Sequence, residues 1–364
     1  HVGYRFNGSL DEVMIFNRSL SESEILSLYN SQLNSLSATI SNLQDGMHNY
    51  KVYAIDEAGN YNSSGKRNFI VDTKLYCGPL NSANTVYTLT SNVSSNGTCF
   101  TITQPNITLD CNGYWINYSI NGSNNAYGIY SNQFNTTIKN CNVIDGNYSS
   151  TAVWRRGIYL DNSANSTLYR NFAISNNSNA IDVEGNSRYV NLTNNTGIST
   201  SNRGIYLYVT NSILTDNIGM SNSTHAFDIG WGSANNLFIN DVGITNSTNG
   251  NGIILYYADN NTLINCSGTS KDEGVNIHDS DYTTLIGIKA IGVSGGWGIR
   301  IDNSNHSLIR DCNNLSGFYS VYFSTGGISI NNTFINCSYD SESINGGGNE
   351  LIRKWYYQAY VNYT

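Results

Sequence analysis

Two carboxylates, Asp182 and Asp228, have a type and spacing that could do chemistry. Each stands between two apolar residues of a four-residue motif, Ala180-Ile-Asp-Val183 and Ala226-Phe-Asp-Ile229, with one further copy of the motif between them. If successive copies stack as paired strands, the two carboxylates lie about 9.6 Å apart, near the upper limit for an inverting glycosidase pair. That arrangement predicts a sugar cleft with an acid and a base. The alternative is two solvated aspartates on the polar side of a strand.

The other polar residues match no reaction centre. The five histidines are scattered, and the sequence has no Asn-Thr-Asp, Asp-Asp or Gly-His-Gly pattern of the polygalacturonase type. Acidic residues concentrate around 271–274, 278–281 and Asp302, but without the spacing of a calcium loop. We therefore predict no metal site and no cofactor. Apart from the Asp182 and Asp228 hypothesis, the sequence favours a protein that is not an enzyme.

The motif that contains Asp182 is an internal repeat with a period of about 22 to 26 residues. In each copy two apolar residues flank one variable residue, which is the pattern of a strand with one buried face. The repeat predicts two inward files: Ile158, Ile181, Ile205, Phe227, Ile253, Val275, Ile299 and Val321; and Leu160, Val183, Leu207, Ile229, Leu255, Ile277, Ile301 and Phe323. The residue between them predicts an outward file: Tyr159, Asp182, Tyr206, Asp228, Ile254, Asn276, Arg300 and Tyr322.

A second strand signal follows about ten residues after the first, usually with Asn or Cys behind it. Two strands per period and only two prolines in the chain leave no room for helices between them, so the pattern predicts the coil of a parallel β-helix with about ten coils. Asn171, Asn195, Asn217 and Asn240 recur after this strand, where inward amides can satisfy buried backbone groups at a corner.

The repeat resembles the right-handed parallel β-helix family. Its opening, Cys77-Gly-Pro-Leu80 to Ile107-Thr-Leu-Asp-Cys111-Asn-Gly113, is similar to the entry segment of β-helix surface proteins common in archaeal genomes. The resemblance covers about three quarters of the chain. It implies a fold and hardly a chemistry, because one solenoid serves lyases, hydrolases, epimerases, adhesins and inert surface proteins.

Four domains are predicted. Residues 1–35 resemble the last strand and closing helix of a laminin-G-like, concanavalin-type sandwich, with a capping box at Ser21 and Glu24. Residues 36–74 are similar to strands of an immunoglobulin-like or fibronectin-like module, and residues 75–345 form the β-helix with its N-terminal cap. Residues 346–364 are a C-terminal strand or the start of a further module. These small β-sandwich-type fragments at the ends suggest strand exchange between subunits.

The seven cysteines suggest an oxidising compartment. We expect a disulfide between Cys77 and Cys99 that staples the cap. Cys141, Cys266, Cys312 and Cys337 fall at the ladder position after the second strand and are read as buried residues rather than metal ligands, although Cys312 and Cys337 lie one period apart and could approach each other. The state of Cys111 and of these four is left open.

The composition limits the classes of binding partner. The net charge is −8 and no basic stripe occurs, which argues against nucleic acid, and no apolar run is long enough to span a membrane. Asn-X-Ser/Thr sequons are dense, and corner positions favour glycosylation. The predicted glycan sites are Asn92, Asn106, Asn135, Asn147, Asn165, Asn176, Asn191, Asn222, Asn246 and Asn305.

These features favour an extracellular structural glycoprotein, a subunit of a cell-surface filament, sheath or surface layer whose main partner is itself. The alternative is a secreted β-helix that binds or cleaves a polysaccharide. The 27 tyrosines are consistent with both, because tyrosine suits protein contact and stacking on sugar rings. A trimeric viral spike is disfavoured, since no trimerisation segment is recognisable.

Overall fold

A computed structural model describes residues 16–26, 40–41, 43–55, 58–71, 74–151 and 153–357. The chain divides into two compact units, residues 1–73 and 74–364. None of the helices among the described residues has the length and apolarity needed to cross a bilayer.

The first unit contains a short helix and two strand pairs. Residues 22–26 are helical, and the capping box forms as expected: the Ser21 amide donates to Glu24 Oε2 at 2.8 Å, and the Glu24 amide donates to Ser21 Oγ at 3.3 Å. The strands β1 (Gly46–Tyr50) and β4 (Arg67–Val71) are antiparallel, as are β2 (Tyr53–Ile55) and β3 (Tyr61–Ser63). The rest of the predicted laminin-G-like segment lies outside the described residues.

The second unit is a right-handed parallel β-helix of about 11 turns, which confirms the predicted fold class. Three parallel sheets run along it. Sheet A consists of β5 (Gly78–Leu80), β8 (Phe100–Ile102), β11 (Tyr127–Ser131), β14 (Arg156–Asp161), β17 (Ile181–Arg188), β20 (Ile205–Thr210), β23 (Phe227–Ile229), β26 (Ile253–Tyr256), β29 (Glu273–His278), β32 (Trp297–Asp302), β35 (Val321–Phe323) and β37 (Glu342–Ile344).

Sheet B carries the second predicted strand of each coil. It consists of β6 (Val86–Thr88), β9 (Thr108–Asp110), β12 (Thr137–Lys139), β15 (Thr167–Tyr169), β18 (Asn191–Thr193), β21 (Ile213–Thr215), β24 (Leu237–Ile239), β27 (Thr262–Ile264), β30 (Thr284–Ile286), β33 (Leu308–Arg310), β36 (Asn332–Ile335) and β38 (Leu351–Lys354).

Sheet C was not predicted, since the sequence analysis expected two strands per coil. It consists of β7 (Val93–Ser94), β10 (Trp115–Tyr118), β13 (Asn142–Asp145), β16 (Phe172–Ser175), β19 (Thr196–Ser199), β22 (Ile218–Ser221), β25 (Val242–Thr245), β28 (Ser267–Ser270), β31 (Lys289–Gly292) and β34 (Asn314–Ser316). Its inward positions are mostly Gly, Ala, Ser and Thr, as in Gly197 and Ser199 of β19, so the strand lacks the hydrophobic alternation that reveals a buried face.

The two predicted inward files of sheet A form one side of the core. Neighbouring strands pair in the expected register, for example Ile158 with Ile181 and Leu160 with Val183, and the members of both files are 0–1% exposed. Each coil therefore buries two apolar side chains from sheet A against the facing residues of sheets B and C. Burial of each such side chain contributes about 1.5–3 kcal/mol.

A polar ladder follows sheet B, but it contains Asp241 rather than the predicted Asn240. The amides of Asn171, Asn195 and Asn217 are buried, and each donates to the next member of the ladder, the last to Asp241 Oδ1 at 2.9 Å. Asn240 instead has a positive φ of 56° and an exposed side chain that donates to Asp216. The left-handed residue turns the chain, so the residue behind it points inward.

Three disulfides and one free cysteine occur in the described residues. The structure joins Cys77 to Cys99, the pair that the sequence analysis favours, and also joins Cys111 to Cys141 and Cys312 to Cys337. Cys266 is the buried free thiol. Three disulfides indicate a protein of an oxidising compartment outside the cytoplasm.

The C-terminal strand is part of the β-helix. Strand β38 pairs in parallel with β36, with Leu351 opposite Asn332 and Lys354 opposite Ile335. The predicted C-terminal strand therefore forms at 351–354, but it continues the β-helix beyond the predicted end at residue 345. The part of the tail from 358 onward lies outside the described residues, and strand exchange between subunits stays a prediction.

Candidate functional site

The outward side of sheet A, which we call the sheet A face, carries carboxylates, arginines and aromatic rings. Its central file has the predicted members, since Tyr159, Asp182, Tyr206 and Asp228 are register partners on successive strands. Tyr130 precedes them in the same file. Parallel strands place these side chains about 4.8 Å apart along the axis.

Asp182 is not exposed to solvent, which differs from the expectation of two solvated aspartates on the polar side of a strand. Its side chain is fully buried, paired with Arg156 and hydrogen-bonded by Asn179 Nδ2 at 2.8 Å from Oδ2. Burial raises the pKa of Asp182 to about 7, and the charge of Glu184 adds to the rise, while Arg156 and Asn179 oppose it. Its Oδ1 atom is buried without a hydrogen-bond partner among the described residues.

Asp228 is also covered, because Arg203 forms an ion pair with its Oδ2 and the aspartate is only 4% exposed. Tyr206 lies between the two aspartates, as the sequence indicates, and burial raises its pKa to about 12. An acid and a base must both reach the glycosidic bond. The proposed Asp182 and Asp228 pair is therefore wrong as a catalytic pair, since Asp182 is fully buried and Asp228 is nearly so.

A different carboxylate, that of Glu184, stands on this face where β17 has a β-bulge. Val183 pairs with Leu207 and Ser187 with Val209, so three residues of β17 oppose a single residue of β20. Glu184 stands at the start of this bulge with its side chain 26% exposed. Its Oε1 accepts a hydrogen bond from Tyr159 Oη at 2.5 Å, and Arg156 Nη2 lies 3.3 Å from the same atom.

Asp161 is the register partner of Glu184 on the preceding strand. It accepts a hydrogen bond from Asn162 Nδ2 at 2.6 Å, and burial and the charge of Glu184 raise its pKa. Gly185 has a φ of +74°, and a Cβ there would lie 2.7 Å from Asp161 Oδ1. Only glycine allows the bulge to approach the Asp161 carboxylate this closely.

An open groove of about 630 Å³ lies at the corner that follows the two carboxylates. Its lining comes from four coils and includes Asn162, Gly185, Arg188, Tyr208 and Gly232. Asn162 and Gly185 are the residues that contact Asp161, so the carboxylates stand at the edge of the groove. Bulges of this type are common next to functional sites because they redirect a side chain.

Aromatic rings cluster at three levels of the sheet A face. At the first level Tyr127, Tyr130 and Tyr159 have ring centroids 5.2–5.3 Å apart. At the second level Trp231 and Tyr257, which follow the ends of β23 and β26 at the corner, stack at 4.5 Å, and Tyr257 packs against Tyr256 of β26 at 4.6 Å.

At the third level Trp297 stacks on Tyr322 at 4.2 Å. Trp154, which is 53% exposed, extends the first level, and the guanidinium of Arg156 lies 4.9 Å from its ring. The face therefore offers aromatic surface at both ends and in the middle.

A second ion cluster lies between the last two levels. Arg300 Nη1 is 2.9 Å from Glu273 Oε1, and Arg300 Nη2 is 3.1 Å from Asp302 Oδ2. Burial raises the pKa of Glu273. Arg156 and Arg300 are thus each neutralised by two acidic residues.

Most predicted glycan sites lie at exposed or half-buried positions, and one does not. Asn92, Asn106, Asn165, Asn191, Asn222 and Asn246 are exposed; Asn135, Asn147 and Asn305 are half-buried. Asn176 is only 9% exposed, and its Nδ2 donates to the Tyr148 carbonyl at 2.6 Å. Asn176 is therefore the least accessible of the predicted sites, because its amide nitrogen is hydrogen-bonded inside the corner, and glycosylation at all ten stays a prediction.

Comparison with known proteins identifies the fold and not a specific activity. The family model described as "Periplasmic copper-binding protein (NosD)" matches residues 153–288, which is less than half of the chain. No curated protein matches.

Among solved structures, the A-module of the mannuronan C-5 epimerase AlgE4 from Azotobacter vinelandii has a TM-score of 0.51 at 12% identity, over 73% of this chain and 80% of that one. The A-module of AlgE6 from the same organism has a TM-score of 0.47 at 11% identity, over 75% and 89%. The periplasmic alginate epimerase AlgG has a TM-score of 0.43 at 13% identity, over 94% and 99%. At these identities the first likeness shows a shared fold alone.

The residues of the matched region do not fit a copper centre. No three His, Cys, Asp or Glu side chains come together as a metal site in the described parts of the chain. The thiol of Cys266 is buried in the core, and His225 Nδ1 accepts a hydrogen bond from the Asn251 amide at 3.1 Å. His278 is flanked by Asp279 and Asp302 without a further imidazole or sulfur ligand of the kind copper prefers.

Proposed function

We propose that this protein binds a polysaccharide along the sheet A face and works outside the cytoplasm, at or near the cell surface. The observation that carries the proposal is the placement of aromatic rings at three levels of one face. Tyr130 and Tyr322 belong to one file and are eight coils apart, which corresponds to about 38 Å. A linear glycan of several residues is a ligand of that length.

The chemistry of the face suits sugar rings. Aromatic side chains provide rigid apolar area that packs against the C–H side of a pyranose, and carboxylates and arginines between them supply hydrogen bonds to hydroxyl groups. Trp154 and Trp231 are more than half exposed, so they are available for stacking without rearrangement. The ion pairs around Arg156 and Arg300 hold the polar groups of the face in fixed positions.

The likeness to a mannuronan epimerase module supports this proposal over a filament subunit, since that neighbour acts on a polysaccharide by name. The filament hypothesis also loses one of its two structural arguments, because 351–354 are paired within the β-helix. Self-assembly through the N-terminal segment stays a prediction.

The proposal is tested by titrating the 364-residue chain against dextran, laminarin, xylan, pectate, alginate and hyaluronan in affinity electrophoresis. Replacing Trp154 and Trp231 by alanine should weaken binding of the retained polysaccharide about fivefold or more for each ring, since one aromatic contact contributes about 1 kcal/mol.

Trp115→Ala is the matched control. Trp115 is 39% exposed and packs edge-on against Phe172, but it belongs to sheet C on another side of the helix. It should leave the affinity unchanged. Retention of none of the six polysaccharides, or equal losses in all three variants, would contradict binding along the sheet A face.

A further inference from the structure

The carboxylates of Glu184 and Asp161 stand together at the edge of the groove, and nothing in their packing requires two acidic groups there. They are register partners on adjacent parallel strands, so their backbones are about 4.8 Å apart and their side chains leave the same face. Both are partly exposed. Hydrolysis of a glycosidic bond commonly uses two carboxyl groups, and the proposed sugar-binding face provides two here.

The surroundings give the two carboxylates different roles. Tyr159 Oη donates to Glu184 Oε1, and Arg156 lies near the same oxygen, so this carboxylate is stabilised as an anion. Both contacts from described residues reach Oε1, which leaves Oε2 available to a substrate atom. The Tyr159 phenol is suited to remain a donor, because burial and its bond to Glu184 raise its pKa.

Asp161 is placed as the proton donor. Its only side-chain partner among the described residues is Asn162, and no cation neutralises it directly. Burial, and next the charge of Glu184, raise its pKa, so a proton is retained at higher pH than on an ordinary aspartate. The two carboxylates thus differ in their contacts, since Glu184 is hydrogen-bonded by Tyr159 and lies beside Arg156, whereas Asp161 is hydrogen-bonded by Asn162 alone, and such a difference suits a nucleophile and an acid.

We propose that Glu184 and Asp161 hydrolyse a glycosidic bond of the polysaccharide held on the sheet A face. Glu184 Oε2 attacks the anomeric carbon while the carboxyl group of Asp161 protonates the departing glycosidic oxygen, so the C–O bond breaks and a glycosyl ester forms. Water then attacks the same carbon, gives its proton to the Asp161 carboxylate and releases Glu184. We expect retention of the anomeric configuration, because adjacent strands hold the backbones of the two residues about 4.8 Å apart, and side chains leaving the same face at that spacing come closer to the carboxyl separation of retaining pairs, about 5–5.5 Å, than to that of inverting pairs, about 6.5–9.5 Å.

This inference rests on the proposed binding function, and one experiment separates the two. The 364-residue chain is incubated with each polysaccharide that it binds, and new reducing ends and their anomeric configuration are followed by colorimetric assay and proton NMR. Wild type should release reducing ends of retained configuration. Glu184→Gln and Asp161→Asn should lower the rate about 10²–10⁴-fold while affinity for the same polysaccharide changes little.

Asp340→Asn is the matched control, because Asp340 is an exposed aspartate in the last coils, far from the bulge in sequence and coil number. It should hydrolyse at the wild-type rate. Thermal unfolding of each variant shows whether it is folded, and Asp161→Asn tests the pair independently if Glu184→Gln is unstable.

Binding without hydrolysis by wild type would overturn the catalytic inference and leave the binding proposal standing. Unchanged hydrolysis in folded Glu184→Gln, or product of inverted configuration, would overturn the assignment of these residues. Absence of binding to all six polysaccharides would overturn both proposals together.

Discussion

Replacing Arg155 by methionine should lower the free energy of unfolding of the β-helix by about 3–5 kcal/mol, because the change leaves a buried carboxylate without its cation. Arg155 Nη2 lies 3.0 Å from Asp145 Oδ2, and both side chains are completely buried. Burial raises the pKa of Asp145, and Arg155 is the charge that opposes this rise. Urea unfolding at pH 7.5, followed by circular dichroism, measures the loss.

Two further variants separate the buried charge from lost packing. Arg155→Met with Asp145→Asn should recover part of the stability, since asparagine is neutral and can still accept the hydrogen bond that Asn147 N gives to Oδ1 at 3.2 Å. Arg170→Met, at an exposed arginine stacked on Tyr169, should cost less than about 1 kcal/mol. A double variant no more stable than Arg155→Met would show that the charge of Asp145 is not the cause.

The core could be predicted from the sequence because stacked coils need apolar residues at the same positions in each period. Each sheet A strand from β14 to β35 buries two apolar side chains and directs the one between them outward, so Ile158 and Leu160 have equivalents in every one of these coils. The period therefore identified the register, and with it the outward file. Sheet C was not predicted, since glycine and serine at its inward positions give no alternation of apolar and polar residues.

The candidate site was harder to predict, because it depends on departures from the repeat. Asp182 occupies its expected position, but the arginine that covers it comes from the preceding coil, and the sequence does not show that contact. The bulge is visible in the sequence as a longer spacing between the two strands of its coil. Ile181 precedes Leu192 by eleven residues, whereas Ile205 precedes Leu214 by nine, and the extra residues include Glu184 and Gly185.

The error at Asn240 has the same origin. Each ladder residue follows a corner residue of positive φ, as Asn195 follows Asn194 and Cys266 follows Asn265. Alignment on the corner rather than on the residue type would have selected Asp241. An aspartate in an asparagine ladder has a physical consequence, because one of its oxygens takes the place of an amide donor.

The stability of the β-helix should therefore fall as the pH rises from about 4 to about 7, and Asp241→Asn should remove a large part of that fall. Burial raises the pKa of Asp241 to about 7, while Asn217 hydrogen bonds to Oδ1 lower it. Oδ2 is buried without a partner. In the ladder an asparagine donates at this place to a backbone carbonyl, as Asn217 Nδ2 does to Leu192 O at 2.9 Å.

The sign follows from proton linkage. Between pH 4 and 7 the folded state holds a proton on Asp241 that the unfolded chain has released, so raising the pH favours unfolding. A difference of about three pH units between the two pKa values corresponds to a loss on the order of 4 kcal/mol from this one group. Buried Asp182 and Glu273 have raised pKa values and act in the same direction.

The measurement is urea unfolding of wild type, Asp241→Asn and Asp340→Asn at several pH values between 4 and 8. Asparagine keeps the acceptor for Asn217 and supplies the donor that Oδ2 lacks, so Asp241→Asn should gain stability over wild type increasingly as the pH rises. Asp340 is exposed and lies in the last coils, away from the ladder, and its variant should follow the wild-type pH profile. A stability difference between Asp241→Asn and wild type that stays constant from pH 4 to 8 would mean that Asp241 does not change protonation there, and that the ladder tolerates a buried charge.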